Sequence, residues 1–369
     1  MNLHQLIGAI RSCFLFLVVL LLLTSPLATS GNSFFDITHA QSPMTGSSPT
    51  AECSVPGDFS TIQEAVNDAN CATISISGGA FHENVIINRQ VSIIGQGSAN
   101  TEVNGGGAGS VFTIRSGSTV TLTGLLITNG SSAILGGGVF NEGSLTIDNC
   151  TISDNSAPGE GGGVHNEGGT TTIGNSTISS NSAYFGGGVG NYQGTITIDN
   201  STISGNSAND GGGISNGFGT VIVTNSTING NMATDFGSSI TNAGSLTLRN
   251  TMVANGQGAI NCSGEAITSQ GYNLDSDNTC NLIAAGDLPN HDPRLDSLQD
   301  NGGATFTHAL LNDSPAIDAG YCPDASFDQR GYSRPFDISN VPNAADGCDI
   351  GAFEFHDTHE YYLPYVSGP

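Results

Sequence analysis

One apolar position recurs in steps of 25 or 26 residues through the middle of the sequence, at Leu122, Ile147, Ile173, Ile198, Val223 and Leu248. The segments around it alternate apolar and polar residues with period two, as a strand with one buried face does. Further apolar columns that start at Val120, Ile127 and Val139 keep the same spacing. A unit of this length cannot bury its apolar faces alone, whereas stacked units bury a continuous core. The repeat therefore predicts an all-β solenoid in which three parallel strands form each rung.

Asparagines follow the same period in three columns. Asn tolerates the left-handed backbone of a tight turn, and its amide can hydrogen-bond the rungs above and below. The column that we expect to form a structural ladder comprises Asn149, Asn175, Asn200, Asn225 and Asn250, and two further columns start at Asn141 and Asn155. N-glycosylation is the competing interpretation, because Asn149-Cys-Thr and Asn175-Ser-Thr are sequons. Sequons account for only one of the three columns, so the ladder is the preferred interpretation.

The rest of the chain divides around the repeat. The segment from Asp58 to Ala69 has the pattern of an N-capped amphipathic helix and predicts a helical cap for the first rung. We expect the solenoid to span residues 52–285, and residues 286–355 to supply the final rungs and an irregular C-terminal cap. Residues 31–51 are rich in Ser, Thr, Gly and Pro and are expected to be a flexible spacer, and residues 356–369 a tail.

The first 30 residues have the pattern of a signal peptide. One cation, Arg11, precedes an apolar run from Cys13 to Leu23, and small residues follow around Ala28. The run is shorter than the roughly 20 residues that a transmembrane helix needs, so we expect export with cleavage and no membrane span afterwards. The formal net charge of −25 excludes nucleic acid as a partner. The expected location is extracellular or on the cell surface, and the expected state is a monomer.

Six of the eight cysteines form locally spaced pairs. An oxidising compartment favours disulfides between Cys53 and Cys71, Cys262 and Cys280, and Cys322 and Cys348. Proximity in sequence alone supports these pairings, since six cysteines allow 15 connectivities. Cys150 occupies a repeat position that holds Ser176 one rung later, so we interpret it as a small interior residue.

Motifs at both ends of the repeat resemble a known group. The segment Thr61-Ile-Gln-Glu-Ala-Val, followed by repeats of the form Gly-Gly-Gly-Val-x-Asn, is similar to the pectin-lyase-like superfamily of right-handed parallel β-helix proteins. The segments Ser314-Pro-Ala-Ile-Asp-Ala-Gly and Cys348-Asp-Ile-Gly-Ala-Phe-Glu resemble the closing region of bacterial choice-of-anchor Q proteins. The resemblance implies an exported β-helix protein without a single established activity. The tail after Phe355 departs from the pattern, because it contains no hydrophobic span or sortase-type motif.

In enzymes of this superfamily the ligand groove runs along one strand column and its flanking turns. Here that column starts at Val139–Asn141, where stacking places Glu142 above Glu167, with His165 two residues away. These three are the candidate catalytic residues, because two carboxylates about 5 Å apart match a retaining glycosidase. Carboxylates with aromatic platforms are the ingredients of a sugar groove, and the ligand-binding candidates are Tyr192, Tyr184, Phe185, Glu160, Asp210 and Asp235.

Each of these candidates has a simpler interpretation. A very acidic surface stacks carboxylates in solvated turns by chance, and a Ca²⁺ ion between Glu142 and Glu167 is a further alternative, the one cofactor that the sequence suggests. Polyuronate lyase chemistry is disfavoured, since lysine is absent and Arg89, Arg115 and Arg249 lie off the candidate column. We therefore expect binding of a polysaccharide or cell-surface glycan, or a structural and adhesive role, rather than catalysis. A polysaccharide-active glycoside hydrolase or lyase is the alternative.

A different class of function follows from threonine. Thr-x-Thr or Ser-x-Thr pairs recur once per repeat at residues 119–121, 144–146, 170–172, 195–197 and 245–247, and Ile222 interrupts the array. Regular threonine arrays occur on ice-binding β-helices, although Thr is also a favoured outward residue on any strand. Ice binding is accordingly the remote alternative.

Overall fold

The protein is a parallel β-solenoid of about nine turns. The computed structural model describes residues 51–356. The predicted signal peptide, residues 31–50 of the predicted spacer and the tail after His356 lie outside the described residues. Within them no helix is long and apolar enough to cross a membrane.

The first part of the described chain contains the only helix of that range, α1 (Ile62–Asn67), and nine strands. These strands are β1 (Ala51–Val55), β2 (Cys71–Ile76), β3 (Gly79–His82), β4 (Val85–Ile87), β5 (Val91–Ile94), β6 (Thr101–Asn104), β7 (Phe112–Ile114), β8 (Thr119–Thr123) and β9 (Leu126–Thr128). The regular rungs follow as β10 (Val139–Asn141), β11 (Ser144–Asp148), β12 (Thr151–Ser153), β13 (Ser156–Glu160), β14 (Val164–Glu167), β15 (Thr170–Gly174), β16 (Thr177–Ser179), β17 (Ser182–Phe185), β18 (Val189–Tyr192), β19 (Thr195–Asp199), β20 (Thr202–Ser204), β21 (Ser207–Asp210), β22 (Ile214–Gly217), β23 (Thr220–Thr224), β24 (Thr227–Asn229), β25 (Met232–Phe236), β26 (Ile240–Asn242), β27 (Ser245–Arg249) and β28 (Met252–Ala254). The last strands are β29 (Cys262–Gly264), β30 (Thr268–Ser269), β31 (Leu274–Asp275), β32 (Leu288–Pro289), β33 (Leu295–Gln299) and β34 (Thr307–Leu310).

Three long parallel sheets run along the solenoid axis. Sheet A stacks β1-β2-β5-β8-β11-β15-β19-β23-β27-β30, sheet B stacks β3-β6-β9-β12-β16-β20-β24-β28-β31-β32, and sheet C stacks β4-β7-β10-β14-β18-β22-β26-β29. Ile147 pairs with Ile173, and Ile173 with Ile198, so residues one repeat apart are neighbours. The predicted register of the repeat is confirmed.

The regular rungs also contain a fourth strand, which the prediction of three strands per rung did not include. Sheet D stacks β13-β17-β21-β25 between sheets B and C. Its strands have irregular pairing, with register shifts between Ala157 and Glu160 and between Ala208 and Asp210. They lack the strict apolar–polar alternation that identifies a strand from sequence, which explains why the pattern did not reveal them.

The core is a set of apolar columns inside the coil. Side chains such as Ile147, Ile152, Ile173, Ile178 and Val164 are completely buried. Burial of one such side chain stabilises the fold by about 1.5–3 kcal/mol before conformational entropy is subtracted. Because each rung buries its apolar residues against the next rung, no rung has a core of its own.

Two columns of asparagine form continuous ladders inside the turns. Nδ2 of each residue lies 2.9 Å from Oδ1 of the next in the column Asn141, Asn166, Asn191, Asn216 and Asn242. The distance is 3.0 Å along the column Asn155, Asn181, Asn206 and Asn231. These bonds satisfy buried amides in every rung.

The third asparagine column, which we expected to be the ladder, forms left-handed turns. The φ angles of Asn149, Asn175, Asn200, Asn225 and Asn250 lie between 47° and 53°. Direct amide bonds join Asn200 to Asn175 and Asn250 to Asn225. Asp148 and Asp199 accept the other amides, so this column is an interrupted ladder.

The N-terminal end is closed as predicted by a short helix and a disulfide. Helix α1 begins with a capping box, in which Thr61 accepts a bond from the Glu64 backbone and the Glu64 side chain accepts one from Thr61. Its residues Ile62 and Val66 pack into the core. The Cys53–Cys71 disulfide joins the first two strands of sheet A.

The irregular C-terminal region begins at the far end of the stack and continues along its side. Cys262–Cys280 closes the far end of the stack, and β32 is the last strand that joins it. Strands β33 and β34 form an antiparallel pair instead. Several residues between 304 and 352 then contact the outer face of sheet B, where Gln329 bonds Thr202, His308 bonds Ser204 and Ala352 bonds Thr227. We call residues 295–356 the clasp, which includes the β33–β34 pair and the contacts with sheet B. The clasp contains the third predicted disulfide, Cys322–Cys348.

Candidate functional site

The predicted carboxylates lie in the turns that lead from sheet C to sheet A. Glu167 pairs with Tyr192 in the register of β14 and β18, and Glu142 follows the strand one rung earlier. Phe218 occupies the same turn one rung after Tyr192, and the two rings meet edge to face with centroids 6.2 Å apart. The turns therefore present one large side chain per rung, and we call Glu142, Glu167, Tyr192 and Phe218 the turn row.

Each carboxylate of the turn row has its own cationic or hydrogen-bonding neighbour. Glu142 Oε2 lies 3.4 Å from Arg115 Nη1, and both side chains are partly exposed. Glu167 Oε2 lies 3.0 Å from His165 Nε2. The two carboxylates thus interact with different partners.

His165 is not at the surface. Its exposed fraction is 0%, its ring stacks on Phe140 at 5.8 Å, and its Nδ1 atom lies 3.8 Å from Glu160 Oε2. Gly161 lies against His165, because a Cβ atom on this glycine would come within 2.6 Å of the His165 Cβ atom. His165 therefore lies between Glu160 and the partly exposed Glu167 and is shielded from solvent.

The remaining ligand candidates belong to sheet D. Glu160, Phe185 and Asp210 form one column in the register of β13, β17 and β21, and Phe236 continues it. Glu160 and Asp210 are buried, whereas Tyr184 and Asp235 are exposed. The structure thus divides the predicted groove residues between the turn row and a separate face on sheet D.

The predicted pair, Glu142 and Glu167, supplies two of the ligands that a calcium ion would need. Ca²⁺ takes six to eight oxygen ligands. Within residues 51–356 the one group of three metal-ligating residues with converging atoms is Cys322, Asp346 and Cys348, and its cysteines form a disulfide. Glu142 and Glu167 belong to no such group in that range.

The sequence analysis did not select three residues that contact the predicted site: Phe218 beside Tyr192, Arg115 beside Glu142 and Phe140 beside His165. Phe218 aligns with Gln193 in the repeat, beside the Tyr192 column, so the alignment contained a signal for it. Arg115 lies in the less regular rung before Glu142, where the repeat is too weak to assign its contact.

The outer face of sheet A carries regular columns of hydroxyl side chains. Two adjacent columns of outward residues pair in register from β8 to β27. All carry hydroxyl groups except Ile222: Thr119, Ser144, Thr170, Thr195, Thr220 and Ser245 in one column, and Thr121, Thr146, Thr172, Thr197, Ile222 and Thr247 in the other. We call these two columns the threonine face.

No protein-family model and no curated protein matches this sequence.

Proposed function

We propose that the protein binds a linear polysaccharide along the turn row. The observation that carries the proposal is the exposed residue Phe218, 54% accessible, whose ring is set edge to face against Tyr192. Tyr192 continues the column of the two carboxylates. Aromatic faces pack against the apolar faces of sugar rings, and carboxylates accept bonds from hydroxyl groups. Because successive side chains are one rung apart, the row suits an extended polymer parallel to the solenoid axis.

The proposal includes an exported protein of the pectin-lyase-like superfamily, with a right-handed coil and a closing region of the choice-of-anchor Q type. The parallel solenoid and the motifs around Ser314 and Cys348 support this assignment. Three disulfides are in keeping with an extracellular or cell-surface location. In this proposal the protein is a monomer, and its binding of polysaccharide at the cell surface also serves adhesion.

A polysaccharide binding assay with surface variants tests the turn row. We expect Phe218→Ala and Tyr192→Ala to weaken binding about threefold to tenfold, the effect of losing one aromatic contact. Phe236→Ala is the matched control, because this ring is exposed on sheet D outside the row. Loss of binding in the control alone would move the site to sheet D, and unchanged binding in all three variants would contradict the proposal.

Release of reducing ends by the wild type, abolished in Glu167→Gln, would favour the enzyme alternative.

Ice binding is a second candidate function, favoured by the unbroken register of the threonine face. A ligand with a regular two-dimensional lattice needs a flat surface with groups at constant spacing, and parallel strands repeat every 4.7–4.9 Å. We expect thermal hysteresis in the wild type that Thr172→Lys abolishes. Ser182→Lys, on an exposed position of sheet D, is the control. Absence of hysteresis in the wild type would eliminate this candidate.

A further inference from the structure

His165 is a buried titratable residue that contacts the turn row from inside the protein. Its Nε2 atom lies 3.0 Å from Oε2 of Glu167, whose side chain is 30% exposed. Its Nδ1 atom lies 3.8 Å from Oε2 of Glu160, which is itself buried. The imidazole therefore has a carboxylate beside each of its two nitrogen atoms.

Two carboxylates beside one imidazole favour one more proton than the neutral ring carries. An ionised carboxylate only accepts hydrogen bonds, and a neutral imidazole has one N–H donor and one acceptor nitrogen. In the neutral ring one nitrogen lone pair therefore faces a carboxylate oxygen, and this contact is repulsive in a buried site. With both nitrogens protonated, His165 donates to Glu167 and attracts Glu160. The geometry thus favours the imidazolium form.

The strands on either side of β14 contribute no charge at the positions paired with His165. These positions hold Phe140 of β10, whose ring stacks on the imidazole, and Gly190 of β18. The charges that face the ring are those of Glu160, from β13, and Glu167, from the end of β14. Both are negative, so each stabilises the imidazolium.

We propose that His165 positions Glu167 for the polysaccharide and makes binding by the turn row depend on pH. The inference rests on the proposed function and adds regulation to the same site. The imidazolium holds Oε2 of Glu167, while Oε1, which accepts no hydrogen bond from residues 51–356, is left for a sugar hydroxyl. Without the second proton, Glu160 and Glu167 compete for one N–H, so Glu167 is held less firmly. Glu142, one rung earlier, is held by Arg115, which does not titrate in this way.

Titration of the full chain with neutral polysaccharides at several pH values tests the inference. The probes are hydroxyethyl cellulose, galactomannan, laminarin and amylose. We expect the affinity of the wild type to fall about threefold to tenfold from about pH 5 to about pH 8, because one charge-assisted hydrogen bond is weakened across the range in which imidazole titrates.

Two substitutions of His165 separate its donor from its titration. His165→Gln keeps an N–H donor toward Glu167 but does not titrate, so its affinity should not change with pH. His165→Phe keeps a ring to stack on Phe140 but has no donor, so at every pH it should bind as weakly as the wild type does at about pH 8. The thermal midpoint is measured for each variant, because His165 is buried.

Two further variants identify the source of the pH dependence. Glu160→Gln removes the competing carboxylate, so it should abolish the fall of affinity with pH. Phe218→Ala removes an aromatic contact of the turn row, so it should weaken binding at every pH and keep the fall that the wild type shows. Nitrogen-15 NMR tests the proton without a ligand, and we expect both ring nitrogens of His165 to be protonated at about pH 5.

The outcomes distinguish this inference from the proposed function. If the wild type binds a probe with an affinity that does not change with pH, or if His165→Phe binds as tightly as the wild type at every pH, the inference is overturned and the turn row remains the site. A single protonated ring nitrogen of His165 at about pH 5 also overturns it. Absence of binding by the wild type to every probe contradicts the proposed function, and the inference with it.

Discussion

At the scale of single residues, the asparagine ladders carry the polar interior of the rungs. Asn181 Oδ1 accepts bonds from both the backbone N–H and the amide of Asn155, and its Nδ2 donates to Ile152 and Asn206. Asn181 is also 1% exposed, so water cannot replace these partners after mutation. The ladder therefore contributes to the stability of the fold mainly because its loss would leave buried neighbours unpaired, and only in part through the strength of its own bonds.

We expect Asn181→Ala to lower the free energy of unfolding by about 1–3 kcal/mol, because it leaves the buried backbone N–H of Asn155 without its acceptor. Urea unfolding followed by circular dichroism measures the change. Ser182→Ala, at the exposed neighbouring position, is the control and should change the value by less than about 0.5 kcal/mol. A similar small change in both variants would show that the ladder contributes little.

Cys150 is the one free cysteine of the described chain. Complete burial raises the pKa of its thiol to about 12, so the reactive thiolate is scarce at neutral pH. We expect no alkylation by iodoacetamide at pH 8 in the native protein and complete alkylation of Cys150 in denaturant, as measured by mass spectrometry. Rapid labelling of the native protein would contradict the buried position.

The candidate site was predictable in its register but not in its exposure. The 25-residue spacing placed Glu167 next to Tyr192, because the repeat fixes which residues stack. It could not show that His165 is covered, since that depends on β13, whose segment has no strand pattern. The partner of Glu142 was likewise hidden, because Arg115 precedes the regular repeat.

At the scale of elements, the clasp is the part that the repeat could not predict. Its motifs have no period, so the sequence alone did not distinguish a terminal cap from a segment along the side of sheet B. The contact buries outward residues such as Thr177, Thr202 and Thr227, which face solvent in a bare solenoid. Inside the clasp, Arg334 pairs with Glu354 at 2.9 Å, and both side chains are fully buried.

The clasp should be more stable in mildly acidic solution. Desolvation raises the pKa of Asp318 to about 6, and burial also raises those of Asp349 and Glu354. Because the folded state binds the Asp318 proton more tightly than the unfolded state, the stabilising contribution of Asp318 is complete below about pH 4 and is lost as the pH rises through about 6. The raised pKa values of Asp349 and Glu354 act in the same direction.

We therefore expect the thermal midpoint of clasp unfolding to fall between pH 4 and pH 7, and Asp318→Asn to reduce that fall. The asparagine keeps an acceptor for the Ile338 N–H but does not titrate. Differential scanning calorimetry at several pH values measures the midpoint. Asp313→Asn, at an exposed carboxylate of the clasp, is the control. If the thermal midpoint of Asp318→Asn fell with pH as steeply as that of the wild type, the Asp318 carboxyl would be excluded as a cause of the fall.

At the scale of the whole molecule, disulfides lie at the ends of the stack and in the clasp. Cys53–Cys71 joins the first two strands of sheet A, Cys262–Cys280 lies at the far end, and Cys322–Cys348 lies in the clasp. The regular rungs between them contain no disulfide among the described residues. Rungs in the middle have two neighbours, whereas terminal rungs have one, so the ends gain most from cross-links.

Replacing Cys53 and Cys71 by serine should expose the N-terminal end first. A disulfide that closes a loop of this size, with a separation of 18 residues, stabilises a protein by about 3 kcal/mol. Limited proteolysis should therefore cut the double variant before residue 90 under conditions in which Cys150→Ser remains intact. Equal resistance of the two variants would show that α1 alone holds this end.

The clasp also imposes an order on folding. Neighbouring rungs are joined by hydrogen bonds between residues about 25 positions apart, as in the Asn166–Asn191 pair, whereas the bonds from Ser98 to Ala304 and from Thr177 to Phe306 span 206 and 129 positions. Closing such long loops is slow unless the surface that receives them already exists. The receiving surface is several stacked rungs of sheet B, so the coil must wind before the clasp can dock. A chain that emerges N-terminus first can thus grow rung by rung, and its last segment seals the finished stack from the side.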